Sequence, residues 1–312
     1  MTVLVTGGSG FIGSWVIRDL LDRGETAVIY DLYPRSDQIQ DIVDRVNVVR
    51  GDLLDLGHLL ETMKSEGVDR VIHAASYLGY QSEIRPPLAV KVNCEGTANV
   101  LEASRHMDVK RVVFTSTQSV YGITPPGQPV NEDLAPSPTT VYGATKRLCE
   151  WLGFHYQDHY GLDFLAVRFP TVYGPTKTGR GWRVPVTDLV ENPLTGNPVS
   201  ITAGGAVKQE WLYVTDAART LANACLVEEV EHRLFNLGSS ESYSLLDLAE
   251  IVKARIPGAV IEIGGGPDML YGLGGRIDDA RAAAELEHRS TLDIQQGIDE
   301  WISVVRARME SG

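Results

Sequence analysis

The sequence predicts an α/β fold: a doubly wound parallel sheet with a smaller, interleaved C-terminal region. Three observations predict it. Short β-branched runs alternate with amphipathic helical segments through the first half of the chain, the order that builds a parallel sheet with helices on both faces. Three glycines, Gly7, Gly10 and Gly13, stand between the first strand and the first helix. After Arg168 the texture changes to Pro- and Gly-punctuated segments, and a strand–helix unit then returns in "QEWLYVTDAARTLANACL".

In order, the predicted strands are Val3–Thr6, Ala27–Tyr30, Val46–Arg50, Val71–Ala74, Arg111–Ser116 and Phe164–Arg168, each a run of apolar or β-branched residues. The predicted helices between them lie near Phe11–Arg23, Leu56–Ser65, Leu88–His106 and Tyr142–His159. In the first, Ile12, Val16 and Leu20 share a face and Gly24 supplies a stop. Beyond Arg168, "HRLFNLG" reads as a further strand, and helices follow over Ser244–Ala254 and Asp278–Leu286.

The chain has 312 residues, 43% hydrophobic and 22% charged, enough for one large domain or two interlocked ones. Lys and Arg number 28 against 41 Asp and Glu, a net charge of −13. Such a surface repels phosphate backbones and anionic lipid, so neither nucleic acid nor membrane is expected as a partner. No apolar run approaches the roughly 18 residues of a membrane span. "MTVLVTGGSG" runs straight into a strand and a glycine loop, which predicts no signal peptide. Cys94, Cys149 and Cys225 are too widely spaced for a disulfide framework or a zinc site. A cytoplasmic protein without a metal is the expectation.

The glycine spacing has a mechanism. Gly7 permits the tight turn, Gly10 lets the backbone approach a pyrophosphate, and Gly13 lets helix and strand pack closely, while the helix N-terminus offers free N–H groups. Asp31 ends the second strand, where a carboxylate accepts both hydroxyls of an adenosine ribose and repels a 2′-phosphate. NAD is therefore the expected cofactor; Arg35, close behind, is the residue that would suit NADP. Asp52 ends the third strand, where adenine edges would lie. The expected domains are residues 1–168 for NAD, with 206–240 returning to it, and 169–205 with 241–312 for substrate.

"TVYGATK" at Thr140–Lys146 and "TVYGPTK" at Thr171–Lys177 are near-copies. A Tyr and a Lys four residues on share a face only in a helix. Tyr142–Lys146 opens a helical stripe of Ala144, Leu148 and Leu152, capped by Thr140. In the second copy Pro175 removes an N–H and pushes Gly174 from helical angles, so Lys177 should point away from Tyr173. Only Tyr142 is then a candidate acid/base. A lysine ammonium and a cationic nicotinamide would bring its phenol down from an ordinary pKa of about 10. "VVFTSTQSVYG" ends a strand in Ser116, Thr117 and Ser119, any of which can hold a substrate oxygen.

With "TGGSGFIG", "GDL", "VIHAAS", "VNCEGTANVLEAS", "TSTQSVYG", "YGATK", "VRFPTVYGP", "WLYVTDAA" and "FNLGS" in this order, the chain resembles an extended short-chain dehydrogenase/reductase of the NAD-dependent epimerase/dehydratase type. The resemblance implies a Rossmann sheet, Tyr142 as acid/base, Lys146 binding the nicotinamide ribose and tuning Tyr142, and Thr117 as donor to the substrate oxygen. It also implies that Phe11, Ile12, Leu53, Ala74 and Ala75 line the cofactor, with Asn93 supporting it and Pro170 near the nicotinamide. Ser76, Thr171 and Arg276 are implied on the substrate side, and Tyr173 as a structural loop residue. A homodimer is implied through the two helices carrying Val100, Leu101, Leu148 and Trp151.

The departures from that pattern bear on function. Family dehydratases carry an Asp–Glu pair after the active-site Thr, and decarboxylases a Glu two residues on; here Gln118 and Ser119 follow Thr117. The Asn before "VYGP" is Thr171, and "GGGPDMLYGLGG" replaces an Arg-Pro-Gly-Asp stretch that clamps a nucleotide diphosphate. Arg180, Arg183 and Arg276 remain candidate holders of an anionic or hydroxylated substrate. The expected activity is net hydride transfer between nicotinamide and a secondary alcohol or ketone of a sugar or sugar acid. Epimerisation through the same residues is the alternative. A dinucleotide-binding regulator without catalysis is the rival class, and intact Thr117, Tyr142 and Lys146 argue against it.

Overall fold

The computed structural model describes residues 1–124, 129–175, 185–265 and 276–310. The first half runs β1 (Thr2–Thr6), α1 (Phe11–Asp22), β2 (Thr26–Asp31), α2 (Ser36–Ile39), β3 (Asn47–Arg50), α3 (Leu56–Glu66) and β4 (Arg70–His73). It continues with α4 (Gly79–Ile84), α5 (Pro86–Ala89), α6 (Gly96–His106), β5 (Arg111–Thr117), α7 (Val141–Tyr160) and β6 (Phe164–Phe169). Then come β7 (Thr171–Tyr173), α8 (Pro185–Leu194), β8 (Val199–Ile201), β9 (Gln209–Tyr213), α9 (Val214–Leu226) and β10 (Leu234–Asn236). The chain closes with β11 (Ser242–Tyr243), α10 (Leu245–Arg255), β12 (Ile261–Ile263), α11 (Ala280–Glu285) and α12 (Ile294–Glu310).

Seven strands form the main sheet in the order β10-β6-β5-β4-β1-β2-β3, all parallel. The expected doubly wound α/β sheet is what the chain builds. Successive residues of a strand face opposite sides, and this divides the core in two. Val3, Val5, Ile29, Ile72 and Val113 pack on one face with α1 and α9. Leu4, Val28, Val71, Val112 and Phe114 pack on the other with α3, α6 and α7. Burial on both faces is why these strands read as continuous apolar runs. The strand order reverses between β1 and β4, so their carboxyl ends open the crevice where ligands of such sheets bind.

A second sheet, β11-β9-β7, supports a third core of Tyr173, Trp211, Tyr213, Leu248, Ile298 and Trp301. Four sequence expectations need correction. The helix expected over Leu88–His106 is interrupted by a π-helical turn at Val90–Glu95. Helix α12 was not expected, although Ile294, Ile298, Trp301 and Ile302 recur at helical spacing and are all buried. Tyr173 lies in a strand rather than a loop. Val100 and Leu101 are fully buried in the core, because α6 presents them to the sheet, and cannot cover an interface; Leu148 and Trp151 are exposed. Among the described residues, no helix is long and apolar enough to cross a membrane.

Candidate active site

The glycine loop joins β1 to α1. Gly7 has φ +66°, and a Cβ there would sit 2.8 Å from the Ala75 backbone; only glycine lets the loop lie against Ala74 and Ala75. A Cβ on Gly13 would meet the Gly7 carbonyl at 2.2 Å, so α1 closes tightly on the turn. No side chain caps α1, which leaves its first N–H groups, at Phe11, Ile12 and Gly13, to an anion. The Asp31 carboxylate is held at the rim: Ser9 Oγ donates to it at 2.7 Å and the Tyr33 N–H at 3.1 Å. The Ser9 hydroxyl oxygen in turn accepts the Arg35 N–H at 3.0 Å, while the Arg35 guanidinium pairs with Asp37 at 3.2 Å. This cradle of free N–H groups and a fixed carboxylate fits a dinucleotide. Asp52 caps its own turn by accepting from the Leu54 N–H at 3.0 Å, and Leu53 is buried against Gly96.

The catalytic candidates meet where β5 ends. Thr117 caps the short turn Gln118–Val120, accepting the Ser119 N–H at 3.1 Å and donating to Ser119 Oγ at 3.1 Å. Helix α7 starts directly on this turn. A Cβ on Gly143 would lie 2.5 Å from the Ser119 carbonyl, so glycine permits the approach. Thr140 Oγ1 accepts the Gly143 N–H at 3.0 Å and Glu83 Oε1 the Tyr142 N–H at 3.2 Å, which satisfies two orphan donors of the helix. Tyr142 therefore stands beside the Thr117–Ser119 hydroxyl pair.

Lys146 lies one turn further on. It is 2% exposed, donates to the Thr115 carbonyl at 2.7 Å, and has its ammonium 5.8 Å from the Tyr142 ring centre. Burial pulls its pKa down to about 8. Burial pushes the Tyr142 phenol above its ordinary value, a rise partly offset by its hydrogen bond with Ser76. Ser116, the third candidate hydroxyl, is spent elsewhere: it donates to Glu150 at 2.6 Å, inside a buried cluster where Arg168 grips the same carboxylate with two bonds of 2.7 Å. That cluster ties β5, β6 and α7 together beneath the site.

Asn93 is delivered by the π-helical turn, a device that re-aims one side chain of a helix. Its amide accepts the Tyr77 N–H at 2.7 Å and the Ser76 hydroxyl at 3.2 Å, and donates to the Tyr77 carbonyl and Thr145 Oγ1, each at 3.0 Å. All four of its hydrogen-bonding positions are used within the protein. Asn93 therefore holds the Ser76–Tyr77 loop against α7 rather than reaching into the crevice.

A cavity of about 250 Å³ joins these parts, with Ile12, Ser76, Thr117, Tyr142, Lys146 and Pro170 among its walls. Thr171 and Gln209 close the side formed by β7 and β9, and Thr171 Oγ1 donates to Gln209 Oε1 at 2.9 Å. Lys146 is the one charged side chain among the described residues lining it. Gln209 escaped the sequence reading; its cue is its place at the head of a strand that pairs with the one beginning at Thr171. Arg276 is exposed and does not line this cavity: its carbonyl holds the Val130 N–H at 2.7 Å, fastening the chain there as an edge bridge. Tyr173 is 1% exposed and packs among Trp211, Tyr213 and Trp301, outside the cavity. Lys177, Arg180, Arg183 and most of "GGGPDMLYGLGG" lie outside the described residues.

Residues 3–238 match the model of the NAD dependent epimerase/dehydratase family. The chain belongs to that family. This bears out the resemblance read from the ordered motifs. Among family relatives, UDP-glucose 4-epimerase of Mycolicibacterium smegmatis is 30% identical over 99% of this chain and 100% of its own length. UDP-glucose 4-epimerase of Lactobacillus helveticus is 29% identical over 86% of this chain and 88% of its own. The crystal structure of Thermus thermophilus UDP-glucose 4-epimerase in complex with NAD superimposes with a TM-score of 0.89. That pair is 29% identical, covering 98% of this chain and 99% of that one.

Proposed function

We propose that this family member is an NAD-dependent sugar epimerase, inverting one secondary carbinol carbon, with C4 of a UDP-hexose the first candidate. The observation that carries the proposal is the chemistry of the cavity: a phenol, a buried ammonium and a hydroxyl pair, with no carboxylate among its described lining residues. Expelling water or a carboxyl group calls for further acid–base groups; exchanging a proton and a hydride at one carbinol does not. Relatives matched over most of both chains, being named as epimerases, support this branch over the net dehydrogenase expected from sequence.

The residues divide the work. Thr117 and Ser119 hold the carbinol oxygen, and Tyr142 takes its proton and later returns it. NAD, bound along Gly7–Gly13 with its adenosine ribose at Asp31, would supply the hydride acceptor and donor. Burial holds the phenol above its ordinary value in the protein alone, so the cationic nicotinamide would supply the further positive charge that brings it down, beside the Lys146 ammonium anchored on the Thr115 carbonyl. Phe169, Pro170 and Val172 exclude water from the reacting centre.

Incubation with UDP-galactose deuterated at C4 and NAD tests the proposal. UDP-glucose retaining the deuterium, with no net rise in NADH absorbance, is expected. Stoichiometric NADH and a released ketone would return the net dehydrogenase.

We also propose a homodimer. Leu148 and Trp151 on α7 lie exposed one helical turn apart, apolar surface that a second copy would cover. Sedimentation at micromolar concentration should give twice the 34.1 kDa chain mass; a monomer refutes this.

A further inference from the structure

Gln209 is an uncommon kind of wall residue. It is 5% exposed and lines the same cavity as Tyr142 and Thr117. Its carbonyl accepts the Thr171 hydroxyl at 2.9 Å, while its amide nitrogen has no hydrogen-bond partner among the described residues. The backbone beneath it is pinned on both sides, since Gln209 pairs with Tyr243 of β11 and β9 runs alongside β7. The next residue, Glu210, clamps the strand again by accepting the Ile277 N–H at 2.8 Å and the Ser239 N–H at 2.7 Å. An amide donor held so firmly in the cavity wall, with no protein partner among the described residues, is free for whatever the cavity binds.

The chemistry of the pair defines what completes it. Gln209 offers two neutral N–H donors, and the Thr171 oxygen, having given its proton to Gln209, remains an acceptor. A sugar hydroxyl both accepts and donates, and matches both. A carboxylate or phosphate would meet no cation from this pair, and charge-assisted bonds are what such groups need to leave water.

We propose that Gln209, positioned by Thr171, is a specificity-determining residue that reads an uncharged hydroxyl of the sugar, selecting neutral over acidic sugars. The proposal deepens the epimerase reading and rests on its placing the sugar in this cavity. Binding measurements separate the two. Calorimetry on the NAD-loaded protein with galactose and galacturonate should show the neutral sugar at least tenfold tighter. Gln209→Leu should weaken galactose at least tenfold and leave NAD affinity unchanged. Gln209→Glu has the same size and still accepts from Thr171, so it keeps the fold; having lost the donor, it should weaken galactose comparably. Gln209→Arg should narrow or reverse the preference for the neutral sugar, a readout that a merely structural role would not move. With UDP-galactose turnover, the Leu variant should raise KM about tenfold with kcat within threefold. Equal binding of the two sugars, no detectable binding of galactose, or unchanged galactose affinity in both the Leu and Glu variants would overturn the assignment. Failure of UDP-galactose turnover with the binding preference intact would instead count against the epimerase reading alone.

Discussion

Removing one oxygen atom from each of the two tyrosines in the near-identical heptapeptides should have opposite consequences. Tyr142→Phe keeps the ring, the Glu83 and Thr140 caps, and the cofactor cradle; it deletes the proton that moves. General acid–base catalysis is worth roughly 10² or more, so kcat should fall at least about 100-fold, equivalent to about 2.7 kcal/mol of barrier. NAD affinity should stay within a few-fold. Tyr173 works in the opposite currency. Its ring is 1% exposed, 5.3 Å from that of Tyr213 and 6.4 Å from those of Trp211 and Trp301. Its hydroxyl makes no hydrogen bond among the described residues, so Tyr173→Phe should cost under about 1 kcal/mol of stability and less than tenfold in kcat. Tyr173→Ala, which empties the ring's place in the third core, should cost about 3–5 kcal/mol. The assays are UDP-galactose turnover for kcat, fluorescence titration for NAD, and urea unfolding for stability. If Tyr173→Phe loses as much kcat as Tyr142→Phe, the assignment of the acid/base is wrong and the helix criterion behind it fails.

Three other outcomes are expected. Lys146→Met should lower both kcat and NAD affinity if, as proposed, the same ammonium serves the phenol and the nicotinamide ribose; loss of kcat alone would deny it the second task. NAD should bind at least about tenfold more tightly than NADP, because a 2′-phosphate would face the Asp31 carboxylate, and equal titration curves for the two would refute this. His73 is 1% exposed between Thr6 and Thr97, and burial, aided by the Lys146 charge, pulls its imidazole down to about 3. The unfolded chain takes up that proton near pH 6.5 while the folded protein refuses it, so stability is full above 6.5 and is lost as pH falls toward 3. Between pH 6.5 and 5 the loss from this group is about 2 kcal/mol, and urea unfolding should show it in the wild type but not in His73→Asn; equal losses in both would sink the idea.

The parts legible in the sequence were those set by neighbours along the chain. Strands buried on both faces must be apolar throughout, so β1, β2, β4, β5 and β6 announced themselves. Gly7 and Gly13 announced the turn, because only glycine tolerates a Cβ position 2.2–2.8 Å from another backbone. Pro175 separated two otherwise similar tyrosines by a rule of backbone angles. Thr140, Tyr142 and Lys146 were readable because one helical turn relates them.

What the tertiary structure decided was the partner of each polar group. Ser116, Thr117 and Ser119 are equivalent as sequence and all three border the cavity, yet the first commits its proton to Glu150, 34 residues away, while the other two bond each other. Asn93 is turned behind the site by a π-helical turn that no local pattern marked, and spends its amide on Ser76, Tyr77 and Thr145, 52 residues on. Arg276 was a candidate substrate ligand, yet it is exposed and absent from the cavity wall, and its carbonyl accepts the Val130 N–H. Gln209 became a candidate only because β9 lies beside β7, which brings it to Thr171. The physical reason is the same each time: backbone geometry follows from near neighbours, but a hydrogen-bonding side chain takes whichever partner the packed chain brings within about 3 Å.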